Sequence, residues 1–434
     1  MLCQRKSQKI WGRVTRVHIE RGSAKKKLHL NSRFVSTETI SHVQRYRFVR
    51  AVRAPTKSCA RMILLSELKT MLILQVVIYA VGAIAIILTI LPFLRFGMWW
   101  IRIGEFPRLQ IAFLCLAAAI LFVLSVDFPL HLLQTIFLLA LIACALYQLY
   151  CVLPYLPVYR KQVEKSRSPL TENTIRLLIF NVFIENRQSS KLLQLVEQVN
   201  PDLILLAEPD ERWVQEVSAL EKNYPYTILH PLDNAYGMAL YSRLELENPK
   251  LNFFIEDDIP SIITDVKLKS GASIHLYCLH PRPPVPTESV RSNERDAELL
   301  FVGRMIKEQD APTIVAGDLN DVAWSRTTKL FQKISGLLDP RRGRGLYTSF
   351  HANYPLIRFP LDHVFHSNHF RLVELRRLPS IGSDHFPIFI ALSYEKTAEL
   401  TQEEPVATPE EESEAIETVV ETLEMIEEET GMKK

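Results

Sequence analysis

Three long apolar runs in the first third of this 434-residue chain constrain its fold more than any other feature. Residues 71–94 and 109–126 contain no charged side chain, and a third run covers residues 130–153. About 20 apolar residues in a helix are enough to cross the hydrocarbon core of a bilayer. A buried helical hairpin of a soluble protein is the alternative, but soluble helices carry a polar stripe that these runs lack. The sequence therefore predicts three transmembrane helices within residues 62–158, and hence a multi-pass membrane protein.

The segment before the first run is strongly basic. Residues 1–61 hold 16 Lys and Arg against 2 Asp and Glu, with weak periodicity, which is typical of a disordered basic arm. Met62 would also make a natural start, so the alternative is that the arm is an upstream extension that is not translated. Because positive charge favours the inner side of a membrane, the two alternatives place the carboxyl-terminal domain on opposite sides. The side that this domain faces is therefore left open.

The segments after the third run differ from one another in composition. Residues 159–173 predict a linker, and residues 174–394 a folded domain. From Lys396 onward the chain holds 13 Glu and no aromatic residue, which indicates a solvated, disordered acidic tail over residues 395–434. Within this tail, a short helix between Glu410 and Glu429 is compatible with the composition.

The domain over residues 174–394 alternates short β-branched runs with helical stretches, which predicts an α/β or α+β fold with a sizeable core. The predicted strands are Ile175–Phe183, Asp202–Glu208, Gly237–Ser242, Ser273–His280, Thr313–Asn320, Leu361–Ser367 and Pro387–Leu392. The predicted helices are Ser189–Val199, Glu294–Gln309 and Trp324–Ile334.

Polar residues that can bind a metal or a phosphate recur at the ends of these strands. Any one of them alone is more often a turn former. Side chains at strand ends converge on one rim of a sheet, where catalytic groups are held rigidly without burying charge in the core. The set is Asn181, Glu208, His280, Asp318, Asn320, Asp362, Asp384 and His385.

Two local motifs in this set are distinctive, namely GDLND at Gly317–Asp321 and SDH at Ser383–His385. With them, the domain resembles the endonuclease/exonuclease/phosphatase superfamily, in the family's order and over nearly all of residues 174–394. The sequence departs from the family pattern at Ala207, where a Gln commonly precedes the Glu. The resemblance implies an α+β, DNase I-like four-layer αββα sandwich, here preceded by a three-helix transmembrane segment.

Hard oxygen donors in the set suit Mg²⁺, with Mn²⁺ as an alternative, and nothing in the chain resembles a Cys/His zinc site. We expect Asn181, Glu208 and Asp384 to bind the metal, as their motifs in the family imply.

The remaining residues are expected to be catalytic. His385 paired with Asp362 is a plausible general base, as the resemblance also implies. Asp318 would position the attacking water or share the role of base. Asn320 and His280 would donate hydrogen bonds to the phosphate.

The motifs define a reaction rather than a substrate. The expected activity is metal-dependent hydrolysis of phosphodiester bonds, most like that of an endonuclease. A net charge of −5 over residues 171–395, from 24 basic and 29 acidic residues, gives no positive argument for nucleic acid. The three spans bring the site near lipid, which makes a phospholipid or inositol phosphate the alternative substrate.

A further alternative is a catalytically silent membrane adaptor of the same fold, against which the complete residue set argues. The expected partners are a phosphodiester substrate and a lipid bilayer, with no protein partner implied. The arrangement is similar to that of bacterial membrane-anchored members of the superfamily, which suggests a bacterial inner membrane.

Overall fold

A computed structural model describes residues 57–284 and 291–431. The predicted basic arm therefore lies outside the described residues, except for 57–61, which begin the first helix. The region that the sequence predicts to span a membrane is called the membrane region. Its helices are α1 (Lys57–Ile90), α2 (Trp99–Arg102), α3 (Arg108–Ser125) and α4 (Leu132–Val152).

Three helical segments are long and apolar enough to cross a membrane, namely Leu64–Leu94, Arg108–Ser125 and Leu132–Tyr155. These coincide closely with the three runs that the sequence predicted. Small side chains, among them Ala85, Cys115, Ala118 and Ala145, are buried where the three helices meet. Small residues allow helix backbones to approach closely in an apolar medium, where packing rather than the hydrophobic effect drives association.

The domain that follows contains two β-sheets and their covering helices. Its helices are α5 (Ser189–Val199), α6 (Glu211–Glu216), α7 (Asn293–Gln309) and α8 (Arg326–Ser335). Its strands are β1 (Thr174–Asn181), β2 (Leu203–Ala207), β3 (Tyr226–His230), β4 (Met238–Ser242), β5 (Glu245–Asn252), β6 (Ser261–Lys267), β7 (Ser273–Cys278), β8 (Thr313–Asp318), β9 (Asp362–His366), β10 (Phe370–Arg377) and β11 (Ile388–Tyr394).

The strands form a six-stranded sheet, in the order β10-β11-β1-β2-β4-β3, and a five-stranded sheet, in the order β5-β6-β7-β8-β9. Within the first sheet β1 and β2 are parallel, and within the second β7 and β8 are parallel. The neighbouring strands β11 and β9 run antiparallel to them. The carboxyl ends of the parallel strands and the amino ends of β9 and β11 therefore meet at one edge of the domain.

Three apolar clusters give the domain four layers. The largest lies between the two sheets and includes Ile179, Leu276 and Ile390. A second cluster packs α5 and α6 on the outer face of the first sheet, and a third packs α7 and α8 on the outer face of the second. The predicted αββα sandwich is thus confirmed.

Residues 409–430 are not disordered, and the short helix that the composition allowed between Glu410 and Glu429 is present. They form a helix, α9 (Pro409–Thr430), which begins with a capping box between Thr408 and Glu411. Ala415 on α9 is fully buried against Leu300, Leu330 and Ile334. The acidic composition reflects the solvated face of the helix, whereas a short apolar face holds it on the domain.

The loop between the first two candidate spans, and the end of the third, also pack on the domain. Arg102 donates a hydrogen bond to the Thr327 hydroxyl (2.8 Å) and lies 3.4 Å from a carboxylate oxygen of Asp296. The Trp324 indole donates to the backbone oxygen of Glu105 at 2.7 Å, and the Tyr155 hydroxyl donates to the backbone oxygen of Ala323. The membrane region and the domain therefore share a buried interface.

Candidate active site

The sheet edge described above collects the polar strand ends of both sheets. Asn181 ends β1, and Glu208 directly follows β2, which is parallel to β1. In the second sheet Asp318 ends β8 and pairs in register with Asp362, the first residue of β9. Parallel strands place their carboxyl ends at the same edge, so residues far apart in sequence become neighbours.

Asn181 joins the two sheets at this edge. Its side-chain nitrogen donates to Glu208 Oε1 at 2.7 Å and to Asp318 Oδ2 at 3.0 Å. Its side-chain oxygen accepts a hydrogen bond from the backbone of Phe183 at 3.0 Å. Asn181 is thus at the site, as predicted, but it turns its nitrogen towards the carboxylates. In this orientation it holds two candidate ligands in place rather than offering its oxygen to a metal.

His385 lies between two carboxylates. Its Nδ1 is 2.7 Å from Asp362 Oδ2, and its Nε2 is 3.5 Å from Asp318 Oδ2, with all three side chains buried. Burial alone would lower the pKa of His385, but Asp362 and Asp318 outweigh it and raise this pKa to about 10. The predicted pairing of His385 with Asp362 is present, and Asp318 faces the other ring nitrogen.

His280 and Glu208 form a second pair. His280 is buried, its Nδ1 lies 3.1 Å from the backbone oxygen of Asp318, and its Nε2 lies 3.8 Å from Glu208 Oε1. Because the backbone oxygen accepts from Nδ1, Nε2 is the nitrogen available on the side of Glu208. Burial raises the pKa of Glu208, although His280 and the Asn181 amide oppose this shift.

Asn320 and Asp384 lie at the same edge and make hydrogen bonds of their own. The Asn320 side chain donates to the backbone oxygen of Pro281 at 2.9 Å, and its backbone nitrogen donates to Asp318 Oδ1 at 3.0 Å. Asn320 therefore holds Asp318, and only its second side-chain N–H remains for a phosphate. Asp384 is half-buried and accepts a hydrogen bond from the neighbouring Ser383 hydroxyl at 3.3 Å.

The donor set fits a divalent cation. Ligand atoms of Asp318, Asp362 and His385 lie within 4.8 Å of one another. Asp362 Oδ1 is buried without a hydrogen-bond partner. Within residues 57–284 and 291–431, no Lys or Arg forms an ion pair with Glu208, Asp318 or Asp362. Among the described residues, the buried carboxylates of Asp318 and Asp362 have the His385 ring as their one cationic partner, and hard oxygen donors suit Mg²⁺ or Mn²⁺.

Several residues near the site carried no signal in the sequence. The Phe350 ring lies 5.0 Å from the His385 ring, and the Tyr236 ring lies 5.9 Å from the His280 ring. Aromatic residues in loops have no motif that points to such contacts. By contrast, His363 belongs to a buried structural group, with its Nδ1 2.7 Å from Arg341 and its Nε2 2.8 Å from the backbone oxygen of Asp321.

The fold and the ordered strand-end residues define a DNase I-like domain. Residues 178–385 match the model of the Endonuclease/Exonuclease/phosphatase family, and the domain belongs to that family. Members of this family are generally phosphoesterases that depend on a divalent metal.

Among solved structures, humanized TDP2 of D. rerio is 20% identical, with 51% of this chain and 99% of that chain covered and a TM-score of 0.43. An endonuclease/exonuclease/phosphatase family protein of Bacteroides thetaiotaomicron is 16% identical, with 52% and 99% covered and a TM-score of 0.43. An endonuclease/exonuclease/phosphatase of Beutenbergia cavernae is 15% identical, with 51% and 72% covered and a TM-score of 0.41. No curated protein matches the chain.

Proposed function

We propose that this protein is a membrane-anchored phosphoesterase that hydrolyses phosphodiester bonds with the help of a divalent cation. The observation that carries the proposal is His385, held between Asp362 and Asp318 near the half-buried carboxylates of Glu208 and Asp384. Such an arrangement pairs a proton acceptor with oxygen donors at one place. The three membrane-spanning candidates would anchor the domain at a bilayer, for which we propose a bacterial inner membrane.

Mg²⁺ or Mn²⁺ would be held by carboxylate oxygens at this edge, with Glu208 and Asp318 as the main donors. Asn181 fixes both carboxylates through its side-chain nitrogen, so that their remaining lone pairs stay directed towards a ligand. Asp384 would add a further carboxylate oxygen to the ligands of the cation, from a more exposed position. A cation here supplies charge neutralisation for the phosphoryl oxygens and lowers the pKa of a bound water.

His385 is proposed to accept the proton of the attacking water through Nε2. Asp362 fixes the tautomer by accepting from Nδ1 at 2.7 Å and stabilises the imidazolium that forms. The same carboxylates that would hold a cation keep the pKa of His385 near 10, so loss of its proton is linked to cation binding. Asp318, 3.5 Å from Nε2, would position the water.

His280 and Asn320 are proposed to donate to phosphoryl oxygens. The backbone oxygen of Asp318 holds His280 from behind, so Nε2 is left to meet the substrate. Asn320 offers its second side-chain N–H. Donors that are fixed before the reaction stabilise the developing charge without the cost of reorganising.

A catalytically silent adaptor is a weaker candidate, because the complete set of strand-end residues is present and its members lie together. Phosphodiesters of nucleic acids, as in an endonuclease, and of phospholipids both fit the chemistry. The residues on the surface around the site distinguish between these two substrate classes.

The test measures turnover of bis(4-nitrophenyl) phosphate by the full chain in detergent, with Mg²⁺ and with EDTA. We expect activity only with the cation, and a loss of about 10²- to 10⁴-fold in His385→Gln. His369→Gln, which alters a histidine beyond the end of β9 that is opposite to Asp362, is the matched control and should stay within about twofold. Equal turnover in EDTA, or an active His385→Gln variant that is folded, would refute the proposal.

A further inference from the structure

The loop of residues 351–358 carries an exposed apolar tip. Tyr354 is 59% exposed, Leu356 83% and Ile357 52%. A single exposed apolar side chain is ordinary on a protein surface, but three within four residues form a patch that indicates contact with another apolar phase.

The loop connects a membrane-spanning candidate with the site. At its tip, the Gln110 side chain in the first turn of α3 donates to the backbone oxygen of Leu356 at 2.8 Å. At its base, the backbone nitrogen of Ala352 donates to the backbone oxygen of Asp384 at 2.6 Å. The chain from Ala352 to Leu356 spans at most about 14 Å. The tip therefore lies level with the beginning of a span while the base adjoins the site.

The two stems of the loop are fixed to the membrane region. Phe350 and Phe359 pair across the loop and belong to an apolar cluster with Tyr155, at the end of a span, and with Trp324. The Phe359 ring also lies 5.8 Å from Phe106, just before α3. Because these contacts set the height of the loop relative to the spans, the tip is held at the level where lipid headgroups begin.

Two arginines, Arg358 of this loop and Arg377, contact the residue that follows His385. The guanidinium groups of Arg358 and Arg377 stack on the Phe386 ring at 4.9 and 4.4 Å from its centre, and Phe386 directly follows His385. Neither arginine forms an ion pair with a carboxylate in the part of the chain that the structure describes, and Arg358 Nε is buried without a partner. Two neighbouring cations of this kind form a favourable place for a phosphate.

We propose that the substrate is a phospholipid of the membrane that anchors the chain. The apolar tip enters the headgroup region, and Arg358 and Arg377 bind the lipid phosphate next to His385. Hydrolysis forms a bond between phosphorus and a water oxygen and breaks one ester bond, whose oxygen takes up a proton and leaves as an alcohol. This inference rests on the proposed hydrolysis. The net charge of −5 over residues 171–395, from 24 basic and 29 acidic residues, gives no positive argument for nucleic acid.

The experiment reconstitutes the full chain in vesicles of phosphatidylglycerol and phosphatidylethanolamine and measures released products with Mg²⁺. Bis(4-nitrophenyl) phosphate and single-stranded DNA are assayed in parallel. We expect lipid hydrolysis, and in Leu356→Glu at least a tenfold fall in the ratio of lipid to soluble-ester turnover, because a charge withdraws the tip from the bilayer. Leu400→Glu, 79% exposed outside the loop, is the matched control and should leave this ratio unchanged.

A second variant, Arg358→Gln with Arg377→Gln, should raise the KM for vesicle lipid at least tenfold. Its melting temperature is measured to show that it is folded. Turnover of the soluble ester without lipid hydrolysis, faster cleavage of DNA than of lipid, or an unchanged ratio in Leu356→Glu would overturn the inference. Absence of any metal-dependent turnover of the soluble ester would instead refute the proposed hydrolysis itself.

Discussion

Arg102 is expected to hold the membrane region and the DNase I-like domain together. Its guanidinium is buried, 2.9 Å from a carboxylate oxygen of Glu105 and 3.4 Å from one of Asp296. Arg102→Met would leave both carboxylates short of a partner in a buried place, for which about 3–5 kcal/mol is typical. Asp296 keeps its 2.7 Å contact with Arg295, so we expect the lower end, about 3 kcal/mol.

This loss corresponds to a fall in melting temperature of roughly 6–12 °C for a domain of this size. The assay follows tryptophan fluorescence of the full chain in detergent during heating, since Trp324 is buried at the interface. Arg304→Met, an exposed arginine on α7, is the matched control and should shift the transition by no more than about 1–2 °C. Equal melting of the two variants would refute the view that the membrane loop is part of the folded domain.

Two further predictions concern other buried positions. Burial raises the pKa of Glu298 to about 7 from an ordinary value of 4.5, so the free energy of unfolding falls as pH rises from 4.5 through 7, and the penalty is complete above 7. At pH 8, Glu298→Gln should therefore have a higher melting temperature than the unchanged chain and a free energy of unfolding greater by up to about 3 kcal/mol. This difference should vanish near pH 4.5. The exposed control Glu308→Gln should show no such difference at either pH. Ala415→Asp should release α9 from the domain, seen as rapid trypsin cleavage and fast amide exchange in residues 409–430, because it buries an unpaired charge. Ile416→Asp, at the neighbouring and more exposed position, should leave α9 protected.

Local patterns predicted the elements whose burial is one-sided or complete. The apolar spacing of Ser189–Val199 predicted α5 with the bounds that the structure shows. Central strands such as β1 and β8 were evident as apolar runs. The edge strands β3, β5 and β10 were missed, because half-exposed strands carry polar residues; β5, for example, has the sequence ELENPKLN. The inner strand β6 was missed as well, although its buried residues alternate along the strand.

The candidate site was predictable because its residues stand at strand ends, which the chain order of the motifs reveals. Their roles depended on orientation, which sequence does not contain. Asn181, predicted as a ligand, turns its nitrogen to Glu208 and Asp318. Arg341 belongs to the basic segment RRGRG, which by composition could bind phosphate or remain solvated, but its side chain is buried against Asp339 at 2.8 Å.

Contacts between the membrane region and the domain had no signal in the sequence at all. The residues next to Arg102 in the sequence form no motif that marks it out from other loop arginines. Only the fold brings it to Asp296, 194 positions further along the chain. A soluble fragment that begins after the spans would expose the apolar surface around Trp324 and leave Asp296 short of a partner. The full chain is therefore the proper material for every assay.

The most direct test of the central claim is a double-mutant cycle on Mg²⁺-dependent turnover of bis(4-nitrophenyl) phosphate by the full chain. Asp362→Asn and His385→Gln are measured singly and together. If Asp362 acts by orienting His385, the double variant should be about as slow as His385→Gln alone, since residues that act as one unit are not additive. Losses that multiply, or turnover that stays within twofold of the unchanged chain in His385→Gln, would contradict the account.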